Sequence, residues 1–303
     1  MRTPLIEAQA ASKLLGRRVL AKAEVLQTTG SFKFRGALGF LDRLDPETRL
    51  RGIVAFSSGN HAQGAAAAAA VYGVPATVVM PADAPAIKIE RTIGWGARVV
   101  PYDRATEDRE AIAVRIAADE GLTVVPPYDH PWTVAGQGSI GLEIAEQCES
   151  IEVDAPVVLA PAGGGGLCAG LALALESALP SAKVFAVEPS GWDDHRLSLA
   201  AGKRVPVAEQ VDSICDALQT SIPGEVTFPI NQRLLSGSLA VTDDEVRHAM
   251  RHAFDELKLV VEPGGAVGLA ALLAGQVAGT GPVVVVLSGG NVDARLFAEM
   301  LGS

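Results

Sequence analysis

The chain has 303 residues, with 35 acidic against 25 basic side chains and a formal net charge of −10. That balance excludes a nucleic-acid backbone or an anionic membrane surface as partner, because both would repel it. Cys148, Cys168 and Cys215 stand far apart with no CxxC pair, which excludes a disulfide framework and leads us to expect a reducing, cytoplasmic interior.

Arg2 and Pro4 open the chain and no apolar run reaches membrane length, so neither a signal peptide nor a spanning helix is expected. A hydrophobic content of 49% with 32 glycines and 5% aromatics suits parallel strands joined by tight turns, in a chain long enough for two subdomains. The first motif is Thr28-Thr29-Gly30 followed by Ser31-Phe32-Lys33-Phe34-Arg35-Gly36, which sets a lysine between two aromatics at the predicted first turn of a helix. Desolvation and the positive helix end both disfavour the ammonium form, and a neutral lysine amine is a nucleophile that forms Schiff bases with carbonyls. Taken alone, the hexapeptide better suits an ordinary surface lysine on an amphipathic helix, with Phe32 and Phe34 half buried.

A predicted strand at 53–56 leads into Ser57-Ser58-Gly59-Asn60-His61-Ala62-Gln63-Gly64 and a helix over 65–72. Hydroxyls, an amide and free backbone donors at a helix start can hold a carboxylate. Capping of the alanine-rich helix by Ser58 or Asn60 explains the same residues equally well. Strands at 76–80, 97–100 and 122–125 alternate with helical segments, which predicts a small α/β subdomain over 52–129. The larger one is assembled from 1–51 and 130–303, with strands at Val157, Val184 and Val283. A ligand is expected between the two, at the carboxyl ends of strands.

The strand at 156–160 runs into Pro161-Ala162-Gly163-Gly164-Gly165-Gly166-Leu167 and a helix over 168–178. Strand, glycine loop and helix make a phosphate cradle. The loop lacks both the Lys-Ser/Thr ending of a nucleotide P-loop and the Gly-x-Gly-x-x-Gly spacing, so a monophosphate ligand fits it better. A flexible loop remains the plain alternative. Val283 to Leu287 followed by Ser288-Gly289-Gly290-Asn291 repeats the same grammar. Between them, Glu188-Pro189-Ser190-Gly191-Trp192-Asp193-Asp194 reads by itself as solvated acids in a loop. His248 and His252, four apart on a predicted helix after Thr242-Asp243-Asp244-Glu245, lack a third ligand and read as a solvated face. Glu262-Pro263-Gly264-Gly265 reads as the end of a buried strand-like run near the expected ligand, or as a turn. No linker or internal repeat marks a boundary.

Four motifs in this order resemble the fold-type II pyridoxal-phosphate enzymes, within them the serine/threonine dehydratase and serine racemase branch, which includes 3-hydroxyaspartate dehydratases. The resemblance runs from Thr3-Pro4-Leu5 to Ser288-Gly289-Gly290-Asn291 and takes in Val134-Ala135-Gly136-Gln137-Gly138 and Glu188-Pro189-Ser190. It implies a tryptophan-synthase-β-like α/β fold, two open, twisted, mostly parallel subdomains with pyridoxal 5′-phosphate between them. Lys33 would carry the cofactor as a Schiff base, Phe32 would pack beside the ring and Asn60 would bond its hydroxyl. Gly163, Gly164, Gly165, Gly166 and Leu167 would hold the phosphate and Ser288 the pyridine nitrogen. A serine there cannot keep that nitrogen protonated as an aspartate would, so β-elimination from a small β-hydroxy amino acid of the L-threonine or L-serine type is the expected chemistry.

Ser57, Ser58, Asn60 and His61 would bind the substrate, with Lys33 as base and Ser58 across the cofactor, where it makes racemisation available too. Glu188, the carbonyl of Trp192 and Asp194 would bind Mg²⁺ or Ca²⁺. Tyr128-Asp129-His130-Pro131 resembles the stretch of relatives acting on 3-hydroxyaspartate, although a plain loop histidine suits His130 better. Ala217 replaces the glycine that many relatives carry after the aspartate of Asp212-Ser213-Ile214-Cys215-Asp216, which puts the transfer of substrate preference in doubt. A homodimer is expected. A regulatory tail beyond the helix at 293–301 is not expected, and neither is the extra amino-terminal helix of relatives. A racemase, or a dehydratase specific for 3-hydroxyaspartate, is the enzymatic alternative. A non-catalytic phosphate-ligand binding module is the alternative from another class.

Overall fold

Runs of valine, isoleucine and alanine without polar alternation form strands buried on both faces. The computed structural model, which describes residues 1–57, 59–84, 86–209 and 211–302, gathers them into two sheets. The strands are β1 (Leu5–Glu7), β2 (Val19–Ala23), β3 (Ile53–Phe56), β4 (Ala76–Pro81), β5 (Arg98–Tyr102), β6 (Thr123–Val124), β7 (Val157–Pro161), β8 (Lys183–Pro189), β9 (Gly237–Val241) and β10 (Val283–Leu287). One sheet runs β1-β2-β10-β7-β8-β9 and the other β5-β4-β3-β6. Among the described residues β1–β2 is the one antiparallel strand pair, and the other strand pairs are parallel. β10 lies between β2 and β7, with Val283 opposite both Val19 and Val157, and its residues are buried throughout.

The helices are α1 (Gln9–Leu15), α2 (Lys33–Arg43), α3 (Pro46–Arg51), α4 (Asn60–Tyr72), α5 (Ala86–Gly94), α6 (Arg109–Glu120), α7 (Pro131–Ser150), α8 (Gly166–Ala178), α9 (Asp194–Ala201), α10 (Thr227–Leu234), α11 (Asp243–His252), α12 (Pro263–Leu273) and α13 (Ala294–Gly302). α4 and α8 start earlier than the sequence predicts, because Gly59 and Gly165 take the N-cap positions and bring Asn60, His61 and Gly166 into the first turns. α11 opens on a capping box of Thr242 and Glu245. Among the described residues no helix is long and apolar enough to cross a membrane.

Packing places α2 differently from its position in the chain. Phe34, Ala37, Phe40, Leu41 and Leu44 share a core with Ile53, Val78 and the alanine face of α4, under the four-stranded sheet. The approach is close enough to exclude side chains. A Cβ on Gly64 would lie 2.9 Å from the Lys33 carbonyl carbon, and one on Gly136 would lie 2.4 Å from the Arg35 carbonyl oxygen. Two helical glycines of the resembling motifs thus let α4 and α7 press onto the helix that begins with Lys33.

The root of α2 is fixed by a buried ionic network. Arg35 Nε reaches Glu24 Oε2 at 2.7 Å and its Nη1 reaches Glu143 Oε1 at 2.6 Å. Lys22 Nζ meets Glu143 Oε2 at 2.6 Å, and the Thr3 hydroxyl donates to Glu24 Oε1 at 2.5 Å. Removing one member would strand buried charge, at a cost of about 3–5 kcal/mol.

Candidate active site

The carboxyl ends of β3, β7 and β10 open onto one cavity of about 320 Å³ between the two sheets. Lys33 projects into it from the first turn of α2. Its Nζ donates to the Pro127 carbonyl at 2.8 Å and lies 5.2 Å and 6.0 Å from the ring centres of Phe32 and Tyr128. Burial lowers its pKa to about 8, against the raising pull of Glu262. Residue 33 is held beside the end of β10, because Phe32 N–H donates to the Ser288 carbonyl at 3.0 Å and Ser31 bridges Gly289.

Gly163, Gly164, Gly165, Gly166 and Leu167 line the opposite wall. Thr227 Oγ1 donates to the Gly164 carbonyl at 2.6 Å and Asn231 Nδ2 to the Gly165 carbonyl at 3.2 Å. Each carbonyl turned outward aims the next N–H the other way, so the loop offers amides at the positive end of α8. Gly165 has φ +90°, and a Cβ there would meet His195 Nε2 at 2.5 Å; a Cβ on Gly164 would overlap the Tyr128 ring at 2.2 Å. The glycines are demanded by these neighbours as well as by any anion. A phosphate fits such a wall, and an aldehyde-bearing ring fits the lysine facing it.

Ser57, Asn60, His61 and Ser288 line the same cavity, and Ser58 lies outside the described residues. Ser57 Oγ accepts from Gly59 N–H at 3.1 Å, which leaves its own proton to donate. The His61 side chain departs from the expected role of carboxylate binder. Its Nε2 lies 2.8 Å from the Val125 carbonyl, which can only accept, so Nε2 carries the proton and Nδ1 is an acceptor. Burial, then the Lys33 charge, lowers its pKa to about 3, so the ring is neutral and cannot donate to a carboxylate through Nδ1. The backbone N–H groups at the start of α4 remain as carboxylate donors, because they precede any helical partner.

His130 is drawn out of the site. Its Nδ1 accepts from Trp132 N–H at 3.1 Å as the cap of α7, and its ring packs edge-on against Phe40 and Trp132. Positive charge at the cavity comes from elsewhere: Lys88, Arg104 and Arg109 line it. Lys88 Nζ pairs with Asp216 at 3.3 Å and Arg104 Nε with Asp83 at 2.8 Å. Arg109 lies over the Phe56 ring at 5.9 Å and has no carboxylate partner among the described residues. Ala217 is among the residues that line the cavity.

Glu188, Asp194 and His195 form a second buried group, with ligating atoms within 4.8 Å of one another. Glu188 accepts from His195 N–H at 2.7 Å, Arg196 N–H at 3.0 Å and Ser238 Oγ at 2.6 Å. Both Asp194 oxygens lack a hydrogen-bond partner, and burial raises its pKa. For His195, burial works downward and the two carboxylates beside it work upward more strongly. Asn231 Nδ2 lies 3.1 Å from His195 Nε2, however, so protonating that nitrogen would oppose two donors. A neutral His195 leaves two buried carboxylates without a counter-charge, which is the setting a divalent cation satisfies. The Trp192 side chain is turned to the Val211 carbonyl through Nε1 at 2.8 Å. His248 is exposed, and it and His252 join no metal-competent cluster among the described residues.

Sequence reasoning missed the cavity roles of Tyr128, Lys88, Arg104 and Arg109, which come from loops and helices of no fixed spacing. It read Glu262-Pro263 as a strand end or a turn. Proline at the first helical position after an acid is the signature of a helix start, and Glu262 is the N-cap residue of α12.

Residues 1–289 match the family described as pyridoxal-phosphate dependent enzyme. The L-threo-3-hydroxyaspartate ammonia-lyase of Pseudomonas sp is 43% identical over 302 residues, covering 99% of this chain and 93% of that protein. The crystal structure of a threonine deaminase from T.th. superimposes with a TM-score of 0.90 at 42% identity, covering 97% of this chain and 94% of that one. Maize serine racemase superimposes with a TM-score of 0.92 at 34% identity, covering 100% of this chain and 92% of that one.

Proposed function

This chain belongs to the pyridoxal-phosphate dependent enzyme family, and from that membership we propose that it eliminates the β-hydroxyl group of a small β-hydroxy amino acid, releasing a 2-oxo acid and ammonia. The observation that carries the reading is a lysine amine, a glycine-lined helix start and a serine hydroxyl opening into one cavity. When bound, pyridoxal phosphate supplies the electron sink for breaking bonds at Cα and Cβ.

The protein's part is to place and move protons. Lys33, lowered to about 8, is the base for the Cα proton. The first amides of α4 and the Ser57 hydroxyl hold the α-carboxylate and so fix Cα relative to Lys33 Nζ. Phe32 would pack beside the ring, Asn60 would bond its hydroxyl, and Gly163 to Leu167 would take the phosphate. Ser288 would offer the ring nitrogen a hydroxyl, an arrangement that suits loss of a β-substituent. The small subdomain is taken as residues 52–129 together with α2, which packs under its sheet, and its closure over the cavity would exclude water.

A second substituent preference follows from charge. The Arg109 guanidinium, which has no carboxylate partner among the described residues, suits, with Lys88 and Arg104 of the same cavity, a substrate bearing a carboxylate on Cβ, as 3-hydroxyaspartate does. Glu188 and Asp194, with the Trp192 carbonyl, would hold Mg²⁺ or Ca²⁺, a reading supported by the two buried carboxylates. A reducing cytoplasmic setting is supported by three buried free cysteines, and a homodimer by the family resemblance alone.

The test supplies L-threo-3-hydroxyaspartate, L-threonine and L-serine to the cofactor-loaded protein and measures 2-oxo acid, ammonia and D-isomer. Oxo acid and ammonia in equal amounts support elimination. D-serine without oxo acid would replace it with racemisation.

A further inference from the structure

Glu262 has no part in the motifs that carry the family resemblance, yet its side chain is only 6% exposed and lines the cavity. Its position is set by the backbone: Glu262 N–H donates to the Gly289 carbonyl at 3.0 Å, at the N-cap of α12. There its Oε1 accepts from Asn60 Nδ2 at 2.5 Å. The other side of the Asn60 amide is fixed as well. Asn60 Oδ1 accepts from Asn291 Nδ2 at 2.7 Å, and the same nitrogen donates to the Thr29 carbonyl at 2.7 Å. Asn291 Oδ1 accepts from Arg91 Nη1 at 3.1 Å. Turning either amide over would oppose like groups, so the network determines both orientations. Asn60 Nδ2 has two hydrogens, of which Glu262 takes one, leaving the second for a ligand in the cavity.

The geometry points to Glu262 as a positioning residue that acts through Asn60, holding the carboxamide so that its remaining N–H meets the phenolic oxygen of the pyridoxal ring. The inference rests on the pyridoxal-phosphate reading above. Burial, then Asp216, raises Glu262 to about 7, against Asn60, Lys88 and the Asn291 backbone N–H. Both the charged and the neutral carboxyl can accept from Asn60, so the role does not depend on charge. Glu262 also faces Lys33, and a purely electrostatic influence on that amine is the effect to be separated.

Pyridoxal 5′-phosphate is titrated into cofactor-free wild type, E262Q, E262A, N60A and the E262A/N60A double variant, with visible absorption and dissociation constant as readouts. E262D, one methylene shorter, replaces E262A if the alanine variant does not fold. E262A and N60A are each expected to weaken binding by roughly ten- to a hundredfold and to change the visible band alike. The double variant is then no weaker than N60A alone. E262Q keeps the wild-type band and affinity, because its amide oxygen still accepts from Asn60. Equal changes in E262Q and E262A would show an effect of charge on Lys33, and multiplying effects in the double variant would show independence from Asn60; either overturns the proposal. A wild type that takes up no cofactor would instead overturn the functional reading on which it rests.

Discussion

Replacing Gly165 by alanine tests whether the phosphate wall is held in shape by the residues behind it. At φ +90° a side chain incurs left-handed strain, about 1–2 kcal/mol. The new Cβ would also lie 2.5 Å from His195 Nε2 and 2.6 Å from Asn231 Nδ2, both in buried positions that cannot retreat freely. Overpacking of that kind adds about 1–3 kcal/mol, so the sum is roughly 2–5 kcal/mol. Gly73→Ala supplies the comparison, because Gly73 has φ +65° but nothing within 4 Å of its Cβ position. It carries the strain without the crowding. Urea unfolding of the cofactor-free proteins measures both losses at unchanged m, and cofactor titration measures the second consequence. Gly165→Ala should be the less stable by at least about 1 kcal/mol and should bind pyridoxal phosphate more weakly, whereas Gly73→Ala should bind it normally. Equal stabilities and equal cofactor affinities in the two variants would refute the reasoning.

Arg109→Leu should raise KM for L-threo-3-hydroxyaspartate roughly 10- to 100-fold, the worth of a charge-assisted hydrogen bond, and leave L-threonine nearly unaffected; equal changes for both substrates would remove the carboxylate role. His61 is held neutral with a pKa of about 3, so below pH 6.5 the unfolded chain binds a proton that the folded one refuses. Stability should therefore rise with pH from 3 to 6.5 by up to about 1.4 kcal/mol per pH unit, and His61→Gln should flatten that rise; an unchanged slope in the variant would contradict the burial argument. Chelation should lower the Tm of the wild type and added Ca²⁺ should restore it, with Asp194→Asn insensitive to both. A wild-type Tm that ignores chelator and metal alike would take the cation out of the account.

The strands and the glycine wall of the cavity are legible in the sequence because their signals are local. Val283 to Leu287 is apolar on both faces, and the glycine run at 163–166 stands directly between a strand and a helix. The lysine cannot be weighed from its hexapeptide, because its burial comes from Pro127, Tyr128 and Glu262, which lie about a hundred or more residues away. For the same reason α2 belongs to the core of the four-stranded sheet although it precedes that sheet's first strand. The sequence puts His61 in the right place with the wrong donor, since only the Val125 carbonyl reveals its tautomer. Arg109 and Lys88 carry no motif, and they reach the cavity only through the way α5 and α6 flank the small sheet.

The central claim, that Lys33 is the anchor of a pyridoxal cofactor, is tested most directly by the visible absorption of wild type and Lys33→Ala after addition of pyridoxal 5′-phosphate. A Schiff-base band in the wild type that borohydride reduction fixes on residue 33, and that is absent from Lys33→Ala, is the predicted result. A colourless wild type, or a band that persists undiminished in Lys33→Ala, would contradict it.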